Sequence, residues 1–347
     1  MSERWSRLAI AALILAASGC GRIPGGSGEE TASSVRSASP NISPAPVASA
    51  CQSAGPTPRS LVGAAYDPVH KVTILFGGNL STGPLRSTAE TWAFDGSCWE
   101  QLHPATSPSA RSAFGAMVYD PVVGKTLLIG GDFVGSRGAL PGDAWLWDGT
   151  NWSQLAGAPH FGVVATAYDE AGRVVVVYGS SGSASVTWTW DGVAWTKQTP
   201  AHLPPPRDYT QMCYDSNNHV AVLFGGVAEG VPAFGDTWEW NGIDWSESHP
   251  STSPPARYGG ALICGGGRVV LVGGADVGRG PFGGVWEWDG QNWTQVVTSH
   301  SPAPLEYPAG VFDGSRYVLL LGVGASLPVT SEVWSFDGTD WTAVSVS

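Results

Sequence analysis

An all-β fold of many short antiparallel strands is what the sequence predicts, on three observations. The chain of 347 residues holds 47 Gly, 26 Pro and 17 Trp with only 13% charged residues, a composition suited to short strands and tight turns. The phrase Trp-x-aromatic-(Asp/Asn)-Gly-x-x-Trp recurs six times, at 92–99, 145–152, 188–195, 238–245, 286–293 and 334–341. The copies begin 53, 43, 50, 48 and 48 residues apart, a period of four-stranded repeats rather than of helical or leucine-rich ones.

The segment before the repeats divides in two. Arg4 and Arg7 precede an apolar run of ten residues at 8–17, and Ser18 and Gly19 are small, as in a secretory signal peptide. The run is too short to span a bilayer. Ala17-Ser18-Gly19-Cys20 resembles the lipobox of bacterial lipoproteins, which implies acylation of Cys20 and cleavage before it. Residues 1–20 are therefore expected to be a lipoprotein signal peptide. Residues 21–57 are Gly, Ser, Ala and Pro with almost no large apolar side chain. They cannot bury enough surface to offset their ordering entropy and read as a disordered tether.

Within the first repeat, 60–66 and 72–76 form an apolar hairpin that stops at Gly77-Gly78, and 90–94 and 98–102 form a second one around Asp95-Gly96. Side chains alternate across a strand, so Trp92 and Phe94 share a face and the turn returns Trp99 beside them. Of eighteen such aromatic slots, sixteen are Trp and two are Phe94 and Phe336; only Trp5 lies elsewhere. A sheet with two apolar faces must be covered on both, and setting six around an axis achieves this. The expectation is a six-bladed β-propeller over 58–347, with the indoles as slabs between blades. Asp95, Asp148, Asp191, Asn241, Asp289 and Asp337 each open a turn.

These residues resemble the kelch repeat, in which a glycine pair ends the second strand and two aromatics follow with six residues between them. Gly77-Gly78, Gly130-Gly131, Gly225-Gly226 and Gly273-Gly274 supply the pair, while Gly179-Ser180 and Gly322-Val323 depart from it. The resemblance to the central domain of galactose oxidase covers 59–347. It implies a ligand face around the mouth of the central channel, formed by the loops after the second strands and the linkers into the first. There the linkers carry Arg59, Arg111, Arg207 and Arg257, with Phe161 and Glu306 in the two irregular repeats. The loops offer Asn79, Asp132, Arg137, Glu229, Asp276 and Arg279. An Arg at that place is common in kelch repeats; four of them and a Glu could also hold an anionic or polyol ligand.

The remaining chemistry is sparse. His103, His160, His202, His249 and His300 fall one to a linker, which is no metal-ligand spacing. No nucleophile elbow or phosphate loop is present, and no Tyr-His pair suggests a copper radical oxidase. Cys51 and Cys98 could form a disulfide near the chain's entry into the first repeat, whereas Cys213 and Cys264, on neighbouring blades, read as buried free thiols. The net charge of −12 disfavours nucleic acid. No cofactor or metal is expected. The reading is a monomeric, lipid-anchored binding module facing the periplasm or cell exterior, with an unidentified protein or glycan partner. The alternative is a small-sugar enzyme of the mutarotase, lyase or oxidase type.

Overall fold

The computed structural model describes residues 55–80, 86–131, 143–160, 164–181, 184–324 and 329–346. All regular structure among them is β. Seven antiparallel sheets form: six built from four successive strands of a meander, the fifth and sixth with one short strand more, and a ribbon of Arg59–Ser60, Asn79–Leu80 and Arg86–Ser87. The signal segment, Cys20 and residues 21–54 of the tether lie outside the described residues; the last three expected tether residues are described, Gly55 lying against Trp99 and the Thr57 carbonyl accepting from Arg59 Nε at 2.9 Å.

The first sheet runs Gly63–Asp67, Val72–Phe76, Thr91–Phe94 and Trp99–Leu102. Its first strand begins at Gly63 and not at 60, because Arg59 and Ser60 pair instead with Leu80 and Asn79. Asp67 ends the strand by accepting backbone N–H bonds from Val69 and His70 at 2.9 and 3.1 Å, an Asx turn. All five residues of Val72–Phe76 are buried. That is why the second strands read as unbroken apolar runs: they are covered on both faces. The second hairpin closes on Asp95, whose Oδ1 accepts the N–H groups of Ser97 and Cys98 at 2.9 and 2.8 Å, with Gly96 at φ 98°. Asp148, Asp191, Asn241, Asp289 and Asp337 accept the same pair of bonds in their sheets.

The indoles hold neighbouring sheets together. Trp152, Trp245 and Trp293 each donate Nε1–H at 2.9 Å to a threonine of the preceding sheet, Thr91, Thr187 and Thr237. Their rings lie edge-on against Phe76, Tyr178 and Phe224, also of the preceding sheet, at 5.3, 5.7 and 5.2 Å. The first aromatic slot differs. Trp145, Trp188, Trp238, Trp286 and Trp334 are only half-buried, so the slab role belongs mainly to the second and third slots.

The contacts between sheets follow a series that returns to its start. The first strands, Gly63–Asp67, Met117–Asp120, Val164–Asp169, Gln211–Asp215, Tyr258–Gly265 and Ala309–Phe312, neighbour one another in order, and the last also neighbours the first. The turn glycine of each second hairpin lies by the first turn of the preceding sheet: Gly149 by His70, Gly192 by Val123, Gly290 by Asn218, Gly338 by Arg268. The same contact joins sheet six to sheet one, where Arg316 Nη2 donates to the Gly96 carbonyl at 3.0 Å. A single apolar cluster there unites Leu75, Trp92 and Trp99 with Val311, Val318 and Val333.

The cysteines require a correction. Cys213 and Cys264 are not free thiols but a disulfide, with Cα atoms 5.5 Å apart. First strands of adjacent sheets approach closely at the centre of the molecule, within bridging range. Cys98 is also disulfide-bonded; Cys51, its expected partner, lies outside the described residues.

Candidate functional site

The linker arginines are structural corners. Arg59, Arg111, Arg207 and Arg257 are each at most 2% exposed. Arg207 shows the arrangement in full: Nε donates to the Pro205 carbonyl at 3.1 Å, Nη1 to the Gly225 carbonyl at 2.8 Å, and the two Nη groups grip Asp236 at 2.6 and 2.7 Å. Trp238 Nε1 adds a third bond to the same carboxylate at 2.8 Å. Arg111 with Asp143 and Trp145, and Arg59 with Glu90 and Trp92, repeat this. Burial pushes the carboxyls of Glu90, Asp143 and Asp236 up, but the hydrogen bonds and charge of their arginines and tryptophans hold all three below the usual range. These guanidinium groups are thus engaged by the protein's own carboxylates. Among the described residues, Arg257 alone of the four has no acid beside it, and burial lowers it to about 10.

The other residues of that face are dispersed. Glu306 does not take the arginine's place in the sixth sheet: Leu305 pairs with Gly324 as Arg59 pairs with Leu80, so the equivalent residue is the buried Leu305. Glu306 falls one position on, beside Tyr258 and Tyr307. Burial, and next the charge of Glu306, pushes both phenols up, Tyr258 to about 12. Tyr209, Tyr258, Tyr307 and Phe114, from four sheets, contact one another with ring centres 5.1–6.4 Å apart. They pack the linker end of the centre. Asn79 accepts from Ser87 Oγ at 2.9 Å; Arg279 and Asp276 pair loosely at 3.8 Å. Asp132 and Arg137 lie outside the described residues. His202 and His300 are exposed, and each pins an aspartate of the following sheet, Asp244 and Asp340, at 2.8 and 2.7 Å.

A central cavity of about 260 Å³ is lined by the first strands of all six sheets. At the linker end its wall includes Phe114 and Pro308; at the turn end it is ringed by Tyr66, Tyr119, Tyr168, Tyr214, Cys264 and Phe312. Each of these six leans on the preceding sheet. The phenols of Tyr66, Tyr119, Tyr168 and Tyr214 are raised by burial and then, for the first three, by the charge of Asp313, Asp67 and Asp120; Asp169 acts on Tyr214, whose Oη accepts from Ala171 N–H at 3.2 Å. Tyr119 reaches about 12. In the fifth sheet Cys264 stands at the tyrosine's position and is bonded to Cys213 of the fourth. In the sixth, Phe312 covers Gly265, a glycine where other sheets have the aspartate.

This collar offers phenol hydroxyls and aromatic faces over a layer of buried carboxylates, Asp67, Asp120, Asp169 and Asp215. Such a surface can hydrogen-bond and stack a polyol or attract a cation, and it repels anions. Its trace in the sequence is the Tyr-Asp pair that ends four first strands, at 66–67, 119–120, 168–169 and 214–215. A second trace is the acid two residues before the first Trp in copies one, two and four, Glu90, Asp143 and Asp236, the partners of Arg59, Arg111 and Arg207. Among the described residues, no group of three or more His, Cys, Asp or Glu could hold a metal ion. The chain matches no protein-family model and no curated protein.

Proposed function

We propose that residues 58–347 form a closed six-bladed β-propeller of the kelch type, and that the protein is a binding module taking a sugar-sized neutral ligand into its central cavity. The cavity carries this reading: six strands from six sheets contribute to it, and the tyrosine collar supplies stacking faces and hydroxyls at its turn end. Its size, about 260 Å³, lies just under the ~300–1,000 Å³ of ordinary ligand pockets and suits a ligand of about one ring. The return of the sheet contacts from the sixth to the first supports closure. The ligand end moves from the linker side to the turn side, because aromatic rings pack the former and its arginines are engaged.

The protein is further proposed to be held by acylated Cys20 on a membrane, facing the periplasm or the cell exterior. Incorporation of labelled palmitate that disappears in Cys20→Ser tests the anchor. Saturation-transfer NMR of the detergent-extracted full chain against a set of monosaccharides tests the ligand. Binding that weakens about tenfold in Tyr119→Phe or Tyr168→Phe supports the cavity; binding indifferent to both, or no binding, refutes it.

A further inference from the structure

The fifth sheet repeats the arginine corner of its siblings with one part missing. Arg257 donates Nε to the Pro255 carbonyl at 3.0 Å and Nη1 to the Gly273 carbonyl at 2.8 Å, and lies over the Phe282 ring at 4.5 Å. Arg207 makes the same three contacts, with Phe234 at 4.1 Å. Sheets one, two and four place a carboxylate two residues before the first tryptophan, at Glu90, Asp143 and Asp236. The fifth places Gly284 there. Both sets of donors survive: the Nη2 of Arg257 and the Nε1 of Trp286 have no acceptor among the described residues.

We propose that this corner is a carboxylate-binding subsite, in which a ligand's carboxylate takes the place that Asp236 fills in the fourth sheet. Arg257 is 2% exposed, and a buried guanidinium without a counter-charge is costly, so it favours an incoming anion. Planar bidentate geometry selects a carboxylate over a spherical ion. Gly284 carries no side chain where the sibling sheets carry their carboxylate, and a narrow crevice bounded by Gly273, Phe282, Gly283, Gly284 and, from the next sheet, Leu319 and Trp341 opens beside it. Gln295 adds a donor, its Nε2 lying 3.2 Å from where a Cβ on Gly284 would stand. The subsite is independent of the central cavity, and its carboxylate could belong to a free acid or to a protein side chain.

The test uses the detergent-extracted full chain, labelled with ¹⁵N at its indoles and titrated with sodium formate replacing sodium chloride at constant ionic strength. Loss of one resonance in Trp286→Phe identifies the Trp286 indole. Formate is expected to shift that resonance saturably, and Arg257→Leu, which copies the natural Leu305, to weaken the response about tenfold or more. The Trp238 indole, already bonded to Asp236, should stay still and serves as the control if the leucine variant does not fold. An unmoved Trp286, an equal shift of Trp238, or an unchanged response in Arg257→Leu overturns the proposal. Repeating the titration with acetylated aspartate amide and with acetate distinguishes a side-chain source from a free acid.

Discussion

The outer layer of tryptophans and the inner collar at the cavity are built from the same six repeats, yet they vary in opposite ways. Outside, the third aromatic slot is Trp in all six copies, at 99, 152, 195, 245, 293 and 341. Inside, the equivalent position reads Tyr66, Tyr119, Tyr168, Tyr214, Cys264 and Phe312. The outer position must fill one shape between sheets, and few side chains do so. The inner one only has to meet the sheet before it, and phenol on aspartate, sulfur on sulfur and ring on glycine all succeed. Variation at fixed backbone geometry is where a ligand preference can be written without loss of the fold.

Substitutions can sharpen or break that contrast. Trp152→Ala removes a ring that is 1% exposed, together with its bond to Thr91, and should cost about 3–5 kcal/mol in denaturant unfolding. Asp236→Ala leaves Arg207 charged and buried in its corner and should cost about 3 kcal/mol or more. Removing the Cys213–Cys264 bridge, which spans 51 residues, should cost about 2–4 kcal/mol, read from denaturant unfolding of the Cys213→Ser, Cys264→Ser double variant, which keeps the disulfide of Cys98. Tyr119→Phe, on the inner side, should cost under about 1 kcal/mol; a loss as large as that of Trp152→Ala would erase the distinction between the layers.

Acid provides a further probe of the corners. Glu90, Asp143 and Asp236 have carboxyls held below their ordinary range. Their contribution to stability is complete above the ordinary carboxylate range and is lost as pH falls through it toward their lower folded values. Urea midpoints measured from pH 7 down to pH 3 should therefore drop on the acid side. The smallest effect is local: Asp340, held at about 2 by the backbone and side-chain bonds of His300, should titrate closer to ordinary aspartate in His300→Ala, followed by carboxyl ¹³C shifts.

Much of the fold was legible because its main signals are covalently spaced. The tryptophan phrase and the glycine pairs fix the strand order of each sheet, and the turn aspartates accept the bonds expected of them. What was not legible depends on which sheet a side chain leans toward. Arg111 and Arg207 looked like ligand groups because Asp143 and Asp236 are 32 and 29 residues away, and nothing local joins them. Glu306 looked equivalent to the arginines because the sixth linker is one residue out of step, visible only in its pairing with Val323. Cys213 and Cys264 lie on separate sheets 51 residues apart, and nothing in their spacing shows that the first strands bring their Cα atoms to 5.5 Å.

The central claim, that the sheet series closes on itself, has a built-in ruler. Ser97 and Ser315 occupy, between sheets one and six, the turn positions that Thr150 and Val69 occupy between sheets two and one. Double electron–electron resonance between spin labels introduced as unnatural residues, which spare the native disulfides, measures both separations. A closed arrangement predicts that the 97–315 pair gives the same short, narrow distance as the 69–150 pair; a distance much longer than that of the neighbouring pair would contradict it.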